Sequence, residues 1–227
     1  MDAEFEPLLD QAFDIDPDET TRDDPQQAEP VLSDETIKLL RRDNRVGIAR
    51  GNPSPVTSSA AKPGRSVVIV PLFFALQAHP ECVYRWARIV IDLSPTNDAI
   101  ITEMYPSDVQ DLPVEIKKNY GAELSLSIAA VKVGLHPETS QERTVFFPVV
   151  AAAGTGFHKA YWDFYPKAGD YLHADKELFL AIEAPSGIPV MATLTVRARV
   201  SFRGLKRLIP LLARTGGPNL PAPVRLS

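Results

Sequence analysis

From Val190 to Phe202 every second residue is apolar: Val190, Ala192, Leu194, Val196, Ala198, Val200 and Phe202. Met191, Thr193, Thr195, Arg197, Arg199 and Ser201 fill the alternate positions. Side chains on a strand point to opposite faces with period two, so this run is a long strand with one buried face and one wet, basic face. Antiparallel sheets accept that arrangement, whereas all-parallel sheets are covered on both sides. The strand follows Glu177–Glu183 across Ala184-Pro185-Ser186-Gly187, whose Pro and Gly mark a turn. The pair predicts a hairpin and, with it, an all-β body.

Eight strands are expected between Ser66 and Phe202: Ser66–Leu76, Tyr84–Leu93, Ala99–Tyr105, Ala122–Leu135, Thr144–Val150, Phe157–Tyr165, Glu177–Glu183 and Val190–Phe202. In Ala122–Leu135 the residues Leu124, Leu126 and Ile128 are out of phase with Val131, Val133 and Leu135, which a one-residue bulge near Ala129-Ala130 would reconcile. Pro71 and Pro148 each require an edge or a bulge. The fold class is therefore all-β, an antiparallel sandwich of jelly-roll or immunoglobulin-like type. Around it the sequence predicts a disordered acidic arm over residues 1–32, a short helix over 33–43 with Ser33 as N-cap, a linker over 44–65 and a basic, Pro-containing tail over 204–227. The sandwich domain itself spans 66–203.

Charge is polarised along the chain. Residues 1–36 hold thirteen acids against Arg22 alone, residues 37–65 hold seven bases against Asp43, and the stretch after Pro189 holds seven bases and no acid. Opposed ends of this kind favour contacts between segments or subunits and argue against nucleic acid, which calls for one dominant basic field. No apolar run reaches the 18 or so residues of a membrane helix, and Met1-Asp2-Ala3-Glu4 has no basic start leading into an apolar stretch. Membrane contact is limited in this reading to a weak cationic amphipathic stretch at 204–214. One cysteine, Cys82, excludes an internal disulfide and favours a reducing compartment, so a cytoplasmic location is expected.

Catalytic signatures are missing from the sequence. Gly154-Thr155-Gly156-Phe157-His158-Lys159 lacks the spacing of a phosphate loop, and no G-x-S-x-G elbow occurs. His79, His136, His158 and His173 show no close ligand spacing, so neither a metal nor another cofactor is expected. The reading leans away from an enzyme.

Two groups of residues stand out as candidate sites. Tyr161, Asp163, Tyr165, Tyr171 and His173 lie in the densest aromatic stretch and suggest an exposed platform, with Asp163 orienting a ligand. Phe5, Leu8, Leu9 and Phe13 form an i, i+3, i+4, i+8 stripe that suggests a short helix docking in a partner's groove. The leading expectation is a non-catalytic cytoplasmic β-sandwich that works through a protein partner or self-association, with the arm and tail as docking segments. The alternatives are a small-ligand or carbohydrate-binding module using the 157–173 aromatics, and a jelly-roll subunit of a particle shell.

Overall fold

The computed structural model describes residues 5–17, 40, 42–56, 63–109, 114–117, 142–145, 149–166, 172, 175–203, 211–215 and 221–227. In chain order the strands are β1 (Glu6–Ala12), β2 (Asp14–Pro17), β3 (Arg45–Arg50), β4 (Ser54–Val56), β5 (Arg65–Gln77), β6 (Cys82–Asp92), β7 (Ile100–Tyr105) and β8 (Asp108–Val109). They continue as β9 (Val114–Lys117), β10 (Glu142–Val145), β11 (Val149–Ala153), β12 (Lys159–Tyr165), β13 (Asp175–Pro185), β14 (Met191–Phe202), β15 (Leu211–Arg214) and β16 (Val224–Arg225).

All pairings are antiparallel. The front sheet runs β1-β3-β5-β13-β7, with β4 also on β5, and the back sheet runs β2-β15-β14-β6-β12-β11-β8, with β16 on β14. The two pack as a sandwich, as the alternation predicted. Val70, Leu72 and Phe74 of β5 and Leu178, Leu180 and Ile182 of β13 are buried, as are Ile89 and Ile91 of β6, Trp162 and Phe164 of β12, and Leu194 and Val196 of β14. Phe74 of the front sheet stacks on Phe164 of the back sheet with ring centroids 5.2 Å apart. The Trp162 indole N–H donates to the Pro106 carbonyl at 2.9 Å, so this large core side chain leaves no polar group unpaired.

The acidic N-terminal segment departs from expectation. Residues 6–12 and 14–17 are strands, one on each sheet, and Phe13 and Ile15 are core residues with 1% and 2% of their surface exposed. The density of acids suggests disorder, but three of them have matching bases across the ladders. Glu6 pairs with Arg50 and Asp10 with Arg45 between β1 and β3, and Asp14 lies opposite Arg214 between β2 and β15. At Glu6, Asp10 and Asp14 the charge polarity of the sequence is thus met by strand pairing within one chain. The basic tail is treated likewise: Leu211, Ala213 and Leu226 are buried.

Two smaller expectations change. No helix is an element among the described residues; Leu40, Arg42 and Asp43 keep a single helical turn, closed where the Asn44 side chain donates to the Leu40 carbonyl at 2.8 Å. Pro71 sits on the central strand β5 and not on an edge. On that side β3 pairs with Leu72–Gln77 and β4 with Val67–Ile69, so Pro71 falls in the gap between them. Its carbonyl accepts from Gly51 N there at 2.9 Å, and the missing N–H costs no ladder bond. Pro148 lies outside the described residues.

The ladders sort the connections into two ends. Residues 93–99, 154–158 and 186–190 join strands at one end; 78–81, 166–174 and 203–210 join them at the other. The excursion between β8 and β11 leaves from this second end, where Val149 lies opposite Tyr165, the last residue of β12.

Candidate functional site

The outer face of the back sheet is set by alternation. Ala87, Ile89 and Ile91 point inward on β6, which leaves Trp86, Arg88 and Val90 outward; Tyr161, Asp163 and Tyr165 are outward on β12, and Thr195, Arg197 and Arg199 on β14. Asp163 is only 5% exposed. It accepts from Arg88 Nε at 2.8 Å and Arg88 Nη2 at 2.6 Å, a bidentate fork, and from Trp86 Nε1 at 3.0 Å. The Asp163 hydrogen bond also raises the pKa of the Arg88 guanidinium. That guanidinium lies 4.2 Å from the Tyr161 ring centroid and 5.6 Å from that of Trp86, while Arg199 lies 5.8 Å from the Trp86 ring.

This geometry bears on the expected platform. Asp163 is satisfied by Arg88 and Trp86, and a face of Tyr161 is covered by Arg88. Tyr165 is 42% exposed. Tyr171 and His173 lie outside the described residues. What the face presents is charge: Arg88, Arg197 and Arg214 stand in one row across β6, β14 and β15, with Arg199 one position along. The sequence showed Arg197 and Arg199 on a wet face. The added rank of Arg88 and Arg214 needed the register of three strands.

The expected docking stripe is built into the sandwich instead of being presented from it. Phe13 is core, its ring 5.9 Å from Tyr84, and Leu8 and Leu9 pack against the core from its margin. Phe5 meets Phe73 at 5.5 Å. The stripe is apolar as read, but a strand and not a helix carries it.

A third feature comes from backbone register. At the β8–β11 edge Asp108 lies opposite Ala151 and Val109 opposite Val150. In the separate two-stranded sheet Val114 lies opposite Val145, Glu115 opposite Thr144, Ile116 opposite Arg143 and Lys117 opposite Glu142. Five residues forward from Val109 and five back from Val150 lead to the pair Val114 and Val145. The two ladders therefore share one register, with connections of equal length between them. Residues 118–141 lie outside the described residues, and with them most of the expected strand Ala122–Leu135.

No family model matches the chain, and no curated protein matches it. Among solved structures it is similar to the Clostridium perfringens NetB toxin in the membrane inserted form, at 8% identity and a TM-score of 0.33, over 80% of this chain and 87% of that one. The expectation of a cytoplasmic protein acting through docking tails is corrected here: the N-terminal segment meant for docking is part of the sandwich. At this level of similarity no activity of that toxin is carried to the present chain.

Proposed function

We propose that the protein inserts an amphipathic β-hairpin, rooted on the back sheet, into a lipid bilayer, and that several copies join their hairpins into a closed barrel. One observation carries this reading: the register shared by the β8–β11 and β9–β10 ladders, continued into the intervening sequence. Counted seven steps on from Lys117 and Glu142, that register would set Leu124 opposite Leu135; nine steps on, Leu126 opposite Val133; eleven steps on, Ile128 opposite Val131. Ala129-Ala130 is left as the turn.

The change of phase in the sequence is then the turn of a hairpin, since a two-residue turn moves one face from even to odd positions. Continued outward, the apolar face takes Ala122 and Tyr120 on one arm and Pro137 on the other. The opposite face takes Glu123, Ser125 and Ser127 with Lys132, Gly134 and His136. Each arm, 120–128 or 131–139, has nine residues, against the ~9–11 of a membrane-spanning strand. An apolar face toward lipid and a polar face toward a lumen is the alternation such strands need. The Tyr at the outer limit suits the headgroup level.

A lone hairpin leaves two unpaired edges in hydrocarbon, where each unmet backbone group costs several kcal/mol. Self-association removes them by closing the sheet. The direct test is dye release from vesicles by full-length protein against Leu126→Asp. Release by the native chain, abolished by the variant with its near-ultraviolet circular dichroism unchanged, supports the reading. Equal release by both contradicts it.

A further inference from the structure

Resting on that reading, we infer that the outer face of the back sheet docks the phosphates of acidic phospholipids, with Arg197 at the centre of the site. Arg197 stands between Arg88 and Arg214 in the cross-strand row, with Arg199 two residues along its own strand. Like charges directly opposite on neighbouring strands repel. Asp163 neutralises Arg88 at one side of the row, and Asp14 lies opposite Arg214 at the other. Arg197 is exposed and has no ion-pair partner among the described residues. An anion supplied from outside is the complement that this row calls for.

The chemistry and the position both favour a lipid headgroup. A guanidinium presents a planar fork that fits phosphate oxygens two at a time. Tyr165, exposed on the same face, is an aromatic side chain with a polar edge, of the kind that favours the headgroup level of a bilayer. The row of arginines crosses the middle of the sheet, and the aromatic margin of the patch lies on the side of the hairpin root. Tyr165 ends β12 opposite Val149, where the hairpin is rooted, and Trp86 and Arg199 lie near the same end of β6 and β14. Phe157 and Ile188 are more exposed, at 66% and 53%, but they belong to the opposite end and would not share a contact with the hairpin.

The experiment is co-sedimentation of the full chain with phosphatidylcholine vesicles, with and without phosphatidylserine, at moderate salt. Native protein is expected to bind the phosphatidylserine vesicles more tightly. Arg197→Gln with Arg199→Gln should weaken that binding about tenfold or more, in line with the worth of two basic groups at an acidic surface. Arg197→Lys with Arg199→Lys, which keeps the charge but not the fork, should fall between the native chain and the Gln pair. Leu126→Asp should bind like the native chain while releasing no dye, so a failed hairpin and a failed headgroup site give different results. Equal native binding to both vesicle types overturns the inference. So does native-like binding by the Gln pair, or a loss by the Lys pair as large as that of the Gln pair.

Discussion

At the scale of single residues, the back sheet's outer face depends on how one carboxylate is used. Asp163 holds Arg88 and Trp86 together through three hydrogen bonds, at the boundary between core and surface. Removing it strands a partly buried guanidinium and an indole N–H. Asp163→Ala should therefore cost about 2–3 kcal/mol in denaturant unfolding, below the full cost of breaking a buried pair because Arg88 is partly solvated. Thr195→Asp on the same face should cost under about 1 kcal/mol. Equal losses would mean that Asp163 is an ordinary surface acid. Cys82 illustrates a different residue-scale effect. Burial pushes its thiol up to about 11, opposed by a hydrogen bond with Asn44. Because the folded pKa lies above the unfolded one, its contribution to stability is complete below about pH 9 and is lost as pH rises toward 11. Burial raises the Tyr84 phenol too, so alkaline unfolding has at least two sources. Thermal melts of Cys82→Ala should fall less steeply between pH 9 and 11 than those of the native chain. Parallel curves would remove Cys82 from the explanation.

At the scale of elements, what the sequence made legible follows from periodicity. Long half-buried strands announced themselves: Val190–Phe202 was expected and Met191–Phe202 is observed; Tyr84–Leu93 was expected and Cys82–Asp92 is observed. Strands β1 and β2 stayed hidden because their acids, taken alone, resemble a solvated tail, and their partners Arg45, Arg50 and Arg214 are remote in sequence. Only pairing identifies them. The candidate platform was legible as residues but not as chemistry, since nothing along β12 discloses that Arg88 occupies Asp163. The phase break at Ala129-Ala130 had two readings, a bulge in one strand or the turn between two. Sequence alone cannot separate them, because each restores one apolar face. A pair of cysteine variants separates them. Leu126→Cys with Val133→Cys should oxidise to a disulfide, since residues directly opposite bring their Cβ atoms within bridging distance. Leu126→Cys with Lys132→Cys, one step out of register, should not. Failure of both pairs to oxidise would restore the bulge, since one continuous strand holds the two positions about 20 Å apart.

At the scale of the whole molecule, the proposed function divides the chain between two solvents, a sandwich in water and, from one edge, a proposed hairpin in lipid. The sandwich is closed by its own tails: β1 and β2 from the N-terminal segment and β15 and β16 from the C-terminal one complete both sheets. Little apolar surface at those strands remains for docking a partner. The proposed hairpin, by contrast, would have an apolar face that water does not favour and two edges that lipid does not tolerate, and would be stable in the bilayer only as part of a closed sheet. Association and insertion are therefore linked. The most direct measurement is a cysteine scan from Glu123 to Ile128 with an environment-sensitive fluorophore, read before and after adding acidic vesicles; buried Cys82, with its raised pKa, should stay unlabelled at neutral pH. The account predicts a blue shift at Leu124, Leu126 and Ile128 and little change at Glu123, Ser125 and Ser127. A uniform response along the segment, or none on adding vesicles, would contradict it.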